Sequence, residues 1–437
     1  MRARWVAPFV GLAVAFTACG YGEGGLEAAP DRAAPAPPAA PIAPIAPAAS
    51  APRELLVLGS PFGTTVLDER TGSELFSGVG VPGLGDPSVL ATATVAGDTT
   101  VLRVTRASDG KAVARARVHG DLAIRAVSTD GSLVALMAPL PAGTSPWTPQ
   151  DRAFTIIVVA NPAGYDGTRR FHLKGNFEPE AFSMDHRSLF LIKYVPAIDP
   201  VAYRVTRLDL EEGEVYPVFG RLKRPVETMS GTRLMQLPAP DGARLYTLYS
   251  SQPSEYATEY DPMQAEAGEP VAFVHTLDLE TGWAMCVGLP RAVWKGNADH
   301  EALALSPERR SLYVVDTERG VVAVMDTKRL KVLRTASVAF QGMSGGQARA
   351  AVSADGRTLL VAAGSRLAVV DTRTMRLRDM WRVSGRVSAV GFGRDGKHVY
   401  LLVPGLLEEL DPLTGEQVRT LHVPGTARFD SVGSLVA

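Results

Sequence analysis

From Arg53 onward the chain reads as short β-rich, largely apolar runs set between polar turn signals, and almost no segment keeps the helical period of about 3.6 residues. The runs predict strands. Turn-forming residues separate the runs, and two kinds of turn recur. The first is Ser/Ala-x-Asp-Gly followed by a strand: "STDGSLVAL" at Ser128, "APDGARLYTL" at Ala239, "SADGRTLLVA" at Ser353 and "GRDGKHVYLL" at Gly393. "SMDHRSLFLI" at Ser183 and "SPERRSLYVV" at Ser306 are variants without the glycine. The second is Asp-x-x-Thr-Gly, at Asp68 to Gly72, Asp278 to Gly282 and Asp411 to Gly415. Looser forms sit at Asp109, Asp209, Asp326 and Asp371, and one more lies around Asn161 to Gly167. Both kinds supply the positive φ that a tight hairpin demands.

The two turns alternate, so the chain is read as strand–turn–strand–loop–strand–turn–strand units. Asp130, Asp185, Asp241, Glu308, Asp355 and Asp395 fall 55, 56, 67, 47 and 40 residues apart. Four-stranded units repeating at roughly 40–50 residues predict an all-β fold, a β-propeller of four-stranded antiparallel blades. Eight hairpins of the second kind suggest eight blades, with the unit around Pro87 to His119 one strand short. Merging that unit with Arg53 to Gly80 leaves seven. Thr426 to Ala437 reads as an opening strand with no blade after it, and "ELLVLGS" (Glu54 to Ser60) starts a blade one strand late. Pairing the two closes the ring and removes both exposed edges. At this point the residues resemble a known family. "SLYVVDTERGVVAVMDTKRLKVLRTASV" (Ser311 to Val338) looks like a YVTN-type propeller repeat, as do Ala351 to Val383 and Val390 to Val423.

The N-terminus has a different grammar. Arg2 and Arg4 precede an apolar stretch from Trp5 to Phe16, too short to span a bilayer as a mature helix. It ends in Phe16-Thr17-Ala18-Cys19, which resembles the lipobox of bacterial lipoproteins, although Phe16 stands where Leu is usual. The resemblance implies a signal peptide over residues 1–18, lipid on the Cys19 sulfur, and an extracytoplasmic protein anchored to a membrane. From Ala28 to Pro52, 20 of 25 residues are Ala or Pro. Such a segment buries too little to fold and favours extended polyproline II, so residues 19–52 form a tether and 53–437 the propeller domain.

Composition narrows the function. With 45 Lys+Arg against 46 Asp+Glu the net charge is −1, which excludes the basic face of a nucleic-acid binder. Two cysteines exclude a disulfide scaffold, and Cys286 is read as a buried, inert thiol. Gly342 to Gly346 fits the G-x-S-x-G elbow, but the strand and turn after it exclude the helix that elbow needs. Gly78 to Gly83 fits G-x-G-x-x-G, and Pro82 and Pro87 exclude the helix of a dinucleotide site, so it is read as a loop. The Asp-x-x-Thr-Gly hairpins are similar to those of quinoprotein propellers but lack their following Trp, apart from Trp283 one place after its glycine. The seven histidines show no ligand spacing. No metal and no cofactor is implied.

Alternating strands put the tight turns on one face of the ring and the variable loops on the other. Pro139 to Asp151, Tyr194 to Pro200, Ser251 to Pro270, Arg291 to His300 and Gln341 to Gln347 make up the loop-rich face. Aromatic side chains on such loops mark binding surfaces, so Trp147, Tyr194, Tyr256, Tyr260 and Trp294 are candidate contacts, with Lys295, Asp299 and His300 beside them. The expectation is a monomeric, lipid-anchored binding or scaffold module for a protein or glycan partner, with no catalysis of its own. The alternative is a hydrolase or lyase of the lactonase type acting on a small molecule at the central axis, for which His300, Asp299 and Lys295 are the first candidates. Titratable side chains converging on the axis would favour the second, and aromatics spread over the loops the first.

Overall fold

The computed structural model describes residues 54–60, 63–78, 80–142, 144, 147–164, 167–221, 228–253, 270–293, 299–343, 347–393, 396–423 and 431–436. The signal peptide, Cys19 and the Ala/Pro tether lie outside the described residues.

Both recurring turns form as their chemistry requires. Asp68 Oδ1 accepts hydrogen bonds from the Thr71 amide and hydroxyl at 2.7 and 2.8 Å, and Gly72 takes φ +69°. Asp278, Thr281 and Gly282 repeat the arrangement. Where the glycine is missing, Leu330 and Met375 hold φ +54° and +56° in its place. In the other turn the Ser128 hydroxyl donates to Asp130 at 2.8 Å and accepts from the Leu133 amide at 2.9 Å. The same pair recurs at Ser183–Asp185 and Ser353–Asp355.

These turns fold the chain into eight antiparallel blades, each built on four strands, so the eight-bladed count holds and the seven-bladed one does not. In order from the axis outward, blade 1 comprises Ser431–Val436, Glu54–Ser60, Gly63–Asp68 and Glu74–Gly78. Its innermost strand comes from the C-terminal end, paired antiparallel from Glu54↔Val436 to Gly59↔Ser431. The other innermost strands are Gly80–Gly83, Ala123–Val127, Asn176–Phe182, Thr232–Pro238, Glu301–Leu305, Arg349–Val352 and Ala389–Phe392, opening blades 2 to 8. Blade 5 carries a fifth strand, Phe219–Gly220, parallel to its outermost one. Apolar side chains fill the space between successive blades. Leu303, Leu305, Leu312 and Val314 of blade 6 face blade 5, whereas Ala302, Ala304, Tyr313 and Val315 face blade 7.

One segment departs from expectation. Gly80–Gly83, read as loop, is the missing inner strand of blade 2, paired with Leu90 to Thr92. Its turn, Leu84-Gly85, then crosses the tight-turn end of the axis. Leu84 packs in the apolar cluster between blades 4 and 5. A Cβ on Gly85, at φ +77°, would lie 2.5 Å from the Ala239 carbonyl oxygen of blade 5. A Cβ on Gly242, at φ +68°, would strike the Thr129 hydroxyl of blade 3. Glycine is therefore required on both sides of the crossing, and the turn obstructs that end of the axis as a plug.

Removing residues 426–437 leaves blade 1 with three strands and two open edges. We expect this truncation to abolish the cooperative thermal transition, followed by near-UV circular dichroism. A melting temperature within a few degrees of the intact chain would mean that side-chain packing alone closes the ring.

Candidate functional site

At the loop-rich end of the axis, the innermost strands of blades 3, 4 and 5 carry charge where the rest of their burial pattern is mostly apolar. Arg125 lies in "AIRAV", Glu178 and Glu180 in "NFEPEAF", and Arg233 and Gln236 in "TRLMQLP". Arg233 grips Glu180 with two parallel hydrogen bonds, 3.0 and 2.9 Å long, and Gln236 Nε2 donates to the same carboxylate at 2.7 Å. Glu178 is shared. Arg152 Nη1 donates to its Oε2 at 2.8 Å, and Arg125 Nε lies 3.3 Å from its Oε1, off hydrogen-bond alignment. The side chains of Arg125, Glu178 and Glu180 are only 6–7% exposed. Three guanidinium groups thus face two carboxylates in a low-dielectric setting.

Loops hold this arrangement from above. Asn176 donates to the carbonyls of Gln150 and Ala197, and the Arg152 amide donates to Ala197 O at 3.2 Å. The loops of blades 3 and 4 are thereby tied to each other. Trp147, on the blade 3 loop, lies over the Arg233 guanidinium where it meets Glu180 of blade 4, with the guanidinium carbon 4.3 Å from its ring centroid. A cation on an indole face at that distance is attracted by the ring quadrupole.

Behind Arg233, between blades 4 and 5, runs an aromatic file. Tyr194 meets Tyr203 edge-on at 6.2 Å, Tyr203 lies 5.5 Å from Tyr249, and Tyr249 stacks on Phe273 at 5.0 Å. The Tyr203 hydroxyl donates to Gly231 O at 2.6 Å. His275 stands edge-on to Tyr249 at 6.4 Å. Burial, assisted by Arg233, drives the His275 imidazole down to about 3, so it is neutral at physiological pH. Burial also raises the Glu178 carboxyl; Arg125 and Arg152 oppose the rise and Glu180 adds to it.

The sequence candidates divide. Trp147 is half-buried over Arg233, and Tyr194 is a buried member of the aromatic file at the end of strand Ser188–Val195 rather than a loop side chain. Asp299 and His300 precede the inner strand of blade 6. The Asp299 carbonyl accepts from the Ala348 amide at 2.8 Å, and the His300 carbonyl from the Thr317 amide at 2.9 Å. Tyr256, Tyr260, Trp294 and Lys295 lie outside the described residues. Arg125, Arg152, Glu178, Glu180 and Arg233 were not among the candidates. For all but Arg152, which lies on the blade 3 loop, the signal is a charge inside the opening strand of three consecutive repeats. Among the described residues no group of three or more His, Cys, Asp or Glu is placed to hold a metal, and no helix is long and apolar enough to cross a membrane.

Beside His300, Glu301 is 1% exposed and stands across from the fully buried Asp316. Burial, then the Asp316 charge, push its carboxyl well above the usual range against the pull of Arg319.

The fold is that of an eight-bladed β-propeller. No protein-family model matches the chain, and no curated protein is similar to it in sequence. Solved structures show the likeness. Apo AztD from Citrobacter koseri superposes with a TM-score of 0.52 at 9% identity, over 88% of this chain and 99% of that one. The dihydro-heme d1 dehydrogenase NirN, solved in complex with DHE, gives 0.50 at 15% identity, over 88% of this chain and 74% of its own. Sqt1 of Saccharomyces cerevisiae gives 0.45 at 11%, over 78% and 84%. At these identities the likeness is one of fold, and a fold hosts many functions.

Two stability outcomes follow from the buried charges. Arg233→Met alone strands Glu180 and is expected to cost about 3–5 kcal/mol in denaturant unfolding, with Arg233→Met/Glu180→Leu recovering most of it. Additive losses would mean the pair is not coupled. The folded Glu301 carboxyl holds its proton more tightly than the unfolded chain does, so wild-type stability declines as pH rises above the ordinary glutamate range. Glu301→Gln should therefore melt higher than wild type at pH 8 and close to it at pH 4. A constant difference across that range would rule the effect out.

Proposed function

We propose that this chain is a binding module, held at the outer side of a membrane by lipid on Cys19, which captures a protein or glycan partner at the mouth of its axis on the loop-rich face. One observation carries the reading. Trp147 spans from blade 3 to blade 5 and lies on Arg233, whose fork onto Glu180 is complete. A rigid aromatic beside oriented charges is the usual makeup of an interaction hot spot. The plug under the axis leaves the loop-rich end as the approach to these groups. The lipobox-like Phe16 to Cys19 and the Ala/Pro tether support anchoring, since about 25 polyproline residues would let the ring stand up to roughly 80 Å from the bilayer.

A second reading, hydrolysis or elimination on a small molecule at the axis, is favoured by Glu178. A carboxyl raised by burial beside two guanidiniums has the character of a proton-transferring group.

Cross-linking pull-down from intact envelopes separates the two. Wild type is expected to capture a partner, Trp147→Ala to lose at least about tenfold in capture, and Cys19→Ala to leave the membrane fraction. Undiminished capture by Trp147→Ala would place the interface elsewhere. No capture by any folded form, with turnover abolished in Glu178→Gln, would establish the second reading.

A further inference from the structure

Among the described residues, the charges of blades 3 to 5 at the mouth do not balance. Arg233 and Glu180 satisfy each other as a closed fork, which leaves Arg125 and Arg152 to share Glu178. Arg125 spends Nη2 on the Ala138 carbonyl at 2.7 Å, and its buried Nε has no aligned acceptor. Arg152 Nη1 divides between the Phe177 carbonyl at 3.1 Å and Glu178 at 2.8 Å. The Arg152 side chain is 17% exposed and that of Arg125 is 6% exposed. A buried surplus cation is costly unless a counter-charge joins it. The guanidinium fork matches a planar carboxylate better than a spherical anion.

We propose that Arg125 and Arg152 receive a carboxylate of the partner in exchange for Glu178, which takes up one proton as the carboxylate binds. This deepens the binding role proposed above and rests on it. No bond is made or broken: the incoming carboxylate brings one negative charge, a solvent proton neutralises another on Glu178, and the mouth keeps its net charge. The groups facing Glu178 set the direction. Arg125 comes from the inner strand of blade 3 and Arg152 from that blade's loop. Glu180, itself held by Arg233 of blade 5, lies on the same strand as Glu178, and Tyr194 lies on the next strand of blade 4. The two arginines favour the ionised Glu178, whereas burial, Glu180 and an arriving carboxylate all favour the protonated one. Burial already raises the Glu178 carboxyl above its ordinary value before any ligand arrives.

The test is calorimetric titration of the full chain with acetate, in two buffers of different ionisation heat, from pH 5 to 8. One proton should be taken up per acetate bound above the Glu178 titration, with affinity falling toward about tenfold per pH unit. Glu178→Gln mimics the protonated carboxyl, so it should bind acetate more tightly than wild type at pH 8 and with little pH dependence. Arg152→Gln should weaken binding at least about tenfold at every pH. D-galacturonate and N-acetylglutamate amide, as separate arms, tell whether the carboxylate belongs to an acidic sugar or to a protein side chain. Absence of acetate binding in both wild type and Glu178→Gln overturns the proposal, as does pH-independent binding in wild type or equal binding of chloride. Undiminished envelope capture by Arg152→Gln would sink this inference while leaving the partner reading intact. Carboxylate binding without any captured partner would do the reverse.

Discussion

The pairing of Ser431–Val436 with Glu54–Ser60 is the constraint on which the remaining architecture depends. Each blade buries its two faces only against its neighbours, so an open ring would expose an apolar face at both ends and two unpaired strand edges. Joining the first and last strands of the repeat array within one blade removes these liabilities through backbone hydrogen bonds. The closure also fixes the radius at which the innermost strands meet. Charges on blades 3, 4 and 5 reach each other because of that radius.

Much of this architecture was legible because the turns are chemically specific. Asp-x-x-Thr-Gly and Ser-x-Asp-Gly each encode a hydrogen-bond pattern and one residue at positive φ, so they report hairpins whatever the strands contain. The inner strand of blade 2 escaped because it has no strand propensity of its own: "GVPG" pairs only because Leu90 to Thr92 lie beside it. Its glycines and proline, read locally, spell a loop. The plug that follows was equally hidden, since Gly85 and Gly242 are far apart in sequence and meet only in the closed ring.

The charged mouth was illegible for a related reason. Arg125, Glu178 and Arg233 sit in unremarkable short strands, and alternation places them on a strand without saying what lies opposite. Aromatic loops draw attention instead, and Trp147 is a candidate on that ground alone. The loops do not show what it covers. Only the superposition of repeats, strand upon strand, would have shown charge recurring at the innermost position of consecutive blades.

The asymmetry of that charge is itself informative. If ion pairs merely cemented the inner strands, they would be expected around the ring, yet the neighbouring blade 6 contributes a carboxyl, Glu301, whose ionisation burial and Asp316 oppose. Exchanging a buried ion pair for apolar residues of similar volume is often neutral or stabilising, so blades 3 to 5 gain little stability from theirs. Two glutamates, three arginines and a loop tryptophan concentrated on one side of the mouth make better sense as an off-axis site. The ring supplies rigidity, the Leu84-Gly85 turn crosses the far end, and the unequal count of charges among the described residues gives that site its polarity.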